Sequence, residues 1–154
     1  MNKNVKFKYA SAKHTLFRNL NFTLLQGKSY AFVGSLGSRK STIISLIESF
    51  YDINDGEILI NGINIKEYNL VSLRKKIGLV LQQPVLFNRT IKENIRYGCL
   101  EGNDEEIMKA AKEANIYYKL MEDDNEEVNV SGGEKQRIAI ARALMKNPSI
   151  LLLE

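Results

Sequence analysis

From Gly34 to Thr42 the chain reads Gly-Ser-Leu-Gly-Ser-Arg-Lys-Ser-Thr, a glycine-containing loop ending on a lysine and two hydroxyl residues. The apolar run 29–33 before it predicts a strand, and Ile43, Leu46, Ile47 and Phe50 after it fall at i, i+3, i+4, i+7, which predicts a helix. Strand, loop and helix in that order are a physical recipe for holding a polyphosphate. Successive backbone N–H groups curl around the phosphates, and the helix N-terminus adds positive potential. The lysine reaches the outer phosphates and the first hydroxyl ligates magnesium. Here those tasks fall to Gly34, Ser35, Leu36, Gly37 and Ser38, to Lys40 and to Ser41, with Thr42 closing the motif.

The full pattern places glycine where this chain has Arg39. That position needs backbone freedom and close approach to the ligand, so a side chain there costs about 1–3 kcal/mol of strain if φ must be unfavourable. A guanidinium recovers part of this by pairing with a phosphate. The expectation is binding that is weakened and not abolished.

The elements that must position this loop alternate along the chain. Residues 5–9 alternate apolar and basic, and 16–22 read as a second strand, both expected at an antiparallel edge. Gln26-Gly27 is a turn, Asn54-Asp55-Gly56 turns into a strand at 57–60, and Asn61-Gly62 signals a tight hairpin. Residues 77–81 form a buried strand that runs into Gln82-Gln83-Pro84. Ile107, Ala110, Ala111 and Ala114 repeat the helical spacing behind a cap at Asn103 or Asp104, and the acidic run 122–127 reads as a solvated loop. Ser131 with Glu134 forms a capping box that starts a helix running to about Lys146. Asn147-Pro148 stops it, and an apolar strand at 150–153 ends in Glu154. This alternation predicts an α/β sheet with a parallel core.

At 154 residues, with 44% apolar and 26% charged side chains, the chain has the makings of one soluble globular domain. Its net charge of +4 suits an anionic ligand, but acids and bases are interleaved, so nucleic acid is not indicated. A lone Cys99, read as a small semi-apolar side chain, excludes an internal disulfide or thiolate metal cluster and fits a reducing compartment. No run approaches the roughly 20 apolar residues of a membrane-spanning helix, and residues 1–10 lack the apolar core of a signal peptide. A membrane-embedded part, if the protein has one, is expected elsewhere.

The run Val130-Ser131-Gly132-Gly133-Glu134-Lys135-Gln136-Arg137-Ile138-Ala139-Ile140-Ala141-Arg142-Ala143-Leu144 closely resembles the signature region of ATP-binding cassette (ABC) ATPases. Residues 86–98, with Thr90-Ile91-Lys92-Glu93-Asn94-Ile95 and Tyr97-Gly98, are similar to the exporter branch of that family. The resemblance implies a P-loop NTPase-like, mostly parallel sheet flanked by helices, with an N-terminal antiparallel β portion and a helical subdomain. It implies one nucleotide-binding domain over 1–154, with 1–85 and 130–154 as the ATP-binding core and 86–129 as the helical subdomain.

The same resemblance implies ATP and Mg2+ as cofactors. Tyr9 stands where the family places a ring that stacks on adenine, a contact worth about 1–3 kcal/mol; the alternative is an aromatic packed on its own neighbours. Gln82 looks like the glutamine that senses magnesium and the attacking water, with Gln83 a spectator. Glu154 occupies the place of a magnesium-binding aspartate and is one methylene longer, which octahedral coordination at about 2.1 Å tolerates poorly. Two such domains pair head to tail, so Ser131, Gly132 and Gly133 would face the γ-phosphate of the opposite site. The implied partners are a second nucleotide-binding domain and a transmembrane domain, with the chain at the cytosolic face of a membrane.

Other residues depart from the pattern. In the family a water-polarising glutamate follows the position of Glu154, and a dimer-contact loop and a γ-phosphate-contacting histidine lie further on. The only histidine here, His14, reads as a surface loop residue. The chain therefore reads as incomplete at its C-terminus, with impaired hydrolysis and marginal stability expected. The acidic run 122–127 stands in place of a glycine-containing stretch that couples domains in the family. A non-catalytic interaction module and a nonfunctional fragment are the rival readings.

Overall fold

Val5 and Phe7 alternate with Lys6 and Lys8, so one face of the first strand is apolar and the other charged. The computed structural model, which describes residues 1–35, 37–122 and 130–154, places them in β1 (Asn2–Phe7) with Val5 and Phe7 buried. β1 stops short of Tyr9 because the Lys8 N–H turns to the Asn54 side chain (2.7 Å) and the Ala12 N–H closes a turn on the Tyr9 carbonyl (3.0 Å). Expected at an edge, β1 is instead internal. It pairs antiparallel with β2 (Phe17–Phe22) on one side and β3 (Asp55–Ile60) on the other, and β4 (Ile63–Asn64) completes the order β2-β1-β3-β4.

The β3–β4 turn is the hairpin expected at Asn61-Gly62. Both residues are left-handed (φ 52° and 82°), as a two-residue loop matching the twist of its strands requires. Helix α1 (Lys40–Ile47) buries Thr42, Ile43, Leu46 and Ile47. It ends before Phe50, because Ser49 turns left-handed (φ 52°) and leaves Phe50 exposed, although periodicity had assigned it to the buried face.

The strand expected at 29–33 is not formed. A strand needs a neighbour for its N–H and C=O groups, and among the described residues none pairs with this segment. Val33 is accordingly 93% exposed, and Phe32 packs edge-on against Phe22 (5.1 Å). These elements belong to a first unit, Met1–Leu73; after α2 (Leu70–Lys75) the rest of the chain lies in a second, Arg74–Glu154.

In the second unit, β5 (Ile77–Val80) and β6 (Ile150–Leu153) form the expected parallel pairing, in register from Ile77 with Ile150 to Val80 with Leu153. Helix α6 (Gly132–Leu144) packs on β5; α3 (Ile91–Arg96) and α4 (Asp104–Glu113) pack on α6, and α5 (Tyr117–Glu122) packs on α4. Capping boxes open three of these helices, through Thr90 with Glu93, Asn103 with Glu106, and Ser131 with Glu134. The latter two match the expected helix starts, and α6 ends near the stop at Asn147, which is left-handed (φ 46°). Of the acidic run, Glu122 closes α5 and 123–127 lie outside the described residues.

Small residues on α4 and α6 let the helices approach closely around Ile91, Ile95, Ile107 and Ile138. At Gly98, just past α3, a Cβ would overlap the Arg142 carbonyl, so backbone packs directly on α6 there. Beside it, the fully buried Asn94 uses its whole amide. Its Oδ1 accepts from the Phe87 N–H (2.9 Å) and Arg142 Nη2 (2.8 Å), while Nδ2 donates to the carbonyls of Phe87, Arg89 and Thr90 at 3.0–3.1 Å. Arg142 also donates to the carbonyls of Asn94 and Val85 (2.9 Å each), with burial lowering its pKa below the ordinary arginine value.

Asn94→Ala is expected to destabilise the chain by about 2–4 kcal/mol, since it strands several buried partners at once. The midpoint of urea unfolding checks this. The carboxylates of Glu93 and Glu134 titrate below their ordinary value, chiefly through hydrogen bonds from Thr90 and Ser131 respectively. A depressed carboxylate stabilises the fold fully above its unfolded value, about pH 4.3, and that contribution is lost as pH falls through the lowered one. Glu134→Gln keeps a capping side chain but removes this titration, so the stability gap between wild type and variant is expected to close on acidification, followed by circular dichroism.

Candidate functional site

The loop that precedes α1 is shaped by two left-handed residues, Gly37 (φ 80°) and Arg39 (φ 66°, ψ 29°). Arg39 therefore adopts the glycine-like conformation that the sequence argument required of its position, against a strain of about 1–3 kcal/mol. Its guanidinium donates to the Leu16 carbonyl (3.3 Å). Lys40 folds back over the loop, with Nζ on the carbonyls of Gly34 (2.9 Å) and Ser35 (3.1 Å) and on Ser38 Oγ (2.9 Å). An ammonium has three hydrogens, and the loop offers an acceptor for each. At Gly34 a Cβ would stand 2.5 Å from Ser38 Oγ, so a side chain there would crowd the loop. Leu36 lies outside the described residues.

Helix geometry leaves the first N–H groups of α1 without intrahelical acceptors. Three helices of the second unit meet that need with a capping side chain, whereas the Arg39 side chain makes no capping bond to α1. An open helix start with a lysine and an arginine beside it is suited to an anion. A polyphosphate would offer Lys40 the oxygens that the loop carbonyls now supply, so these residues fit such a group. The two hydroxyls differ: Ser41 is exposed, while Thr42 is buried with Oγ1 3.0 Å from the Tyr9 hydroxyl. Ser41 is thus the one free to face a metal ion. The Tyr9 ring packs edge-on against Phe7 (4.8 Å, 78°) and Tyr51 (4.9 Å, 89°).

In the second unit Gln82 and Glu154 follow β5 and β6, and the parallel register brings them to the same strand ends, where the Glu154 N–H donates to the Val80 carbonyl (2.9 Å). Both are exposed. Ligands of open α/β sheets sit beyond such carboxyl ends. Ser131, Gly132 and Gly133 open α6. The Ser131 hydroxyl donates to Glu134 Oε2 (2.7 Å) and accepts from the Glu134 N–H (3.3 Å), and the two glycines are exposed. Hydrogen bonds from Ser131, with the Lys119 charge adding to them, hold Glu134 below the ordinary carboxylate range.

The structure thus joins Tyr9 to Thr42 behind the loop in the first unit and brings Gln82 and Glu154 to the same strand ends in the second. Sequence reasoning missed the Thr90–Glu93 capping box, which its Thr-x-x-Glu spacing announces, and the Asn94–Arg142 pairing, which no local pattern signals. Among the described residues no helix is long and apolar enough to cross a membrane.

The family model described as ABC transporter matches residues 17–154. ABC transporter B family member 13 of Arabidopsis thaliana is 49% identical over 99% of this chain, and the ATP-dependent lipid A-core flippase of Pasteurella multocida is 46% identical over 99%. This chain spans 13% and 28% of those two proteins. A solved structure, a bacterial Atm1-family ABC exporter with ATP bound, superposes with a TM-score of 0.92 at 42% identity, over 99% of this chain and 28% of that one. Similarity of this extent takes in the loop before α1, the parallel pair and the Ser-Gly-Gly helix start together, and the chain belongs to the ABC transporter family, as an ATP-binding domain of the exporter type.

Proposed function

We propose that the loop at the head of α1 binds the phosphates of MgATP, and that a transporter uses this binding to drive movement of a membrane partner. One observation carries the reading: the N-cap residue of α1, Arg39, makes no capping bond while the Lys40 ammonium is held in the loop beside it. On binding, Lys40 exchanges loop carbonyls for phosphate oxygens, and the first N–H groups of α1 gain acceptors. Tyr9 offers a ring to the base. Magnesium, when bound, neutralises phosphate charge; Ser41 is the residue of this loop that would hold it, and the family resemblance gives Gln82 and Glu154 as the second unit's candidates.

The remaining roles need a second cassette. Residues 131–133 would face the γ-phosphate of the opposite site, with the α6 N–H groups as donors. For the Ser131 hydroxyl to join them, its proton must leave Glu134 Oε2, where it now points. In this reading 1–85 with 130–154 make the ATP-binding core and 86–129 the helical subdomain, at the cytosolic face of a membrane. Arg39 weakens the site by placing a side chain where the backbone must approach phosphate closely, and the extra methylene of Glu154 loosens the metal site, so this chain hydrolyses ATP poorly by itself.

Titration of the folded chain with a fluorescent ATP analogue and magnesium is expected to saturate, and Lys40→Ala to weaken binding about ten- to a hundredfold, the worth of a charge-assisted hydrogen bond. A folded chain that shows no saturable binding would overturn the reading in favour of an interaction module that works without nucleotide. Arg39→Gly is expected to tighten binding severalfold; unchanged affinity would remove Arg39 as the cause of weakness.

A further inference from the structure

The segment 7–16 leaves β1 and returns on itself, closed by the Leu16 N–H on the Phe7 carbonyl (2.8 Å). Each end of this loop reaches the first turn of α1. From one end the Tyr9 hydroxyl meets Thr42 Oγ1 at 3.0 Å; at the other the Leu16 carbonyl accepts from Arg39 Nη1 at 3.3 Å. On the helix side the circuit is completed by the Thr42 N–H on the Arg39 carbonyl (3.1 Å). The Tyr9 ring is fixed between Phe7 and Tyr51, and Thr42 is buried and β-branched, so neither partner has freedom to wander.

We infer that Tyr9 is a positioning residue for the phosphate loop, acting through its hydroxyl on Thr42, and so raises affinity for the triphosphate whether or not a base is present. The inference rests on the reading that this loop binds a triphosphate. Lys40 and Ser41 lie between the two strapped residues, Arg39 and Thr42. Holding those residues before the ligand arrives spares the ordering that binding would otherwise require. A role confined to base stacking would need only the ring, and phenylalanine would serve equally; the hydroxyl contact separates the two roles.

The test uses the full chain with two magnesium-loaded probes, ATP and inorganic tripolyphosphate, which has no base, measured by calorimetry. Tyr9→Phe is expected to weaken both about three- to tenfold and equally, the worth of one part-buried hydrogen bond. Tyr9→Leu should add a further loss for ATP alone. Thr42→Val should match the loss of Tyr9→Phe, and the double variant should lose no more than either. A purely structural role would lower the melting temperature while leaving the tripolyphosphate affinity of the folded chain unchanged. Wild-type tripolyphosphate affinity in Tyr9→Phe, or losses that add in the double variant, would overturn the inference and leave the nucleotide reading standing. If the wild-type chain binds neither probe, that reading falls instead. Hydrogen exchange at residues 39–43 of the ligand-free chain then decides: faster exchange in Tyr9→Phe supports the strap, and unchanged exchange overturns it.

Discussion

A lysine ammonium carries three hydrogens, and the loop before α1 supplies an acceptor for each, from Gly34, Ser35 and Ser38. Much of the first unit serves this arrangement. The loop must turn left-handed at Gly37 and Arg39 to curl its oxygens inward, and α1 must begin at Lys40 for the ammonium to reach them. The antiparallel sheet delivers the 7–16 loop to the first turn of that helix. The positive charge is thereby stored at the start of a helix whose N-cap residue, Arg39, makes no capping side-chain bond.

The second unit solves the same end-of-helix problem in the opposite way. Thr90, Asn103 and Ser131 each cap a helix, and each is answered by a glutamate on the following turn. At α6 this has a chemical cost as well as a structural use. A carboxylate next to the Ser-Gly-Gly turn satisfies the serine, yet it also places negative charge where another anion would approach. The α6 start thus carries a carboxylate at its cap, whereas the cap position of α1 is an arginine.

What could be read from the sequence was what local chemistry decides. The Asn61-Gly62 turn, the caps at Asn103 and Ser131, and the stop at Asn147 each depend on residues a few positions apart. Phe50 was misassigned because periodicity does not register where a helix ends. The internal place of β1 and the failure of 29–33 to form a strand depend on which segment lies alongside, which no single segment encodes. The Tyr9 ring was open to two readings from the sequence, and its edge-on contacts come from Phe7 and Tyr51, the latter 42 positions away by the numbering. The Arg142–Asn94 contact joins residues 48 positions apart, a separation that no local pattern bridges.

That contact also sets one end of α6. Arg142 near the end of α6 grips the carbonyls of Val85 and Asn94, while Ser131 opens the opposite end of the same helix. At 1.5 Å per residue the two lie roughly 16 Å apart along a stiff rod. One uninterrupted helix thus ties the Val85 backbone, through the Arg142 guanidinium, to the element that opens on Ser-Gly-Gly.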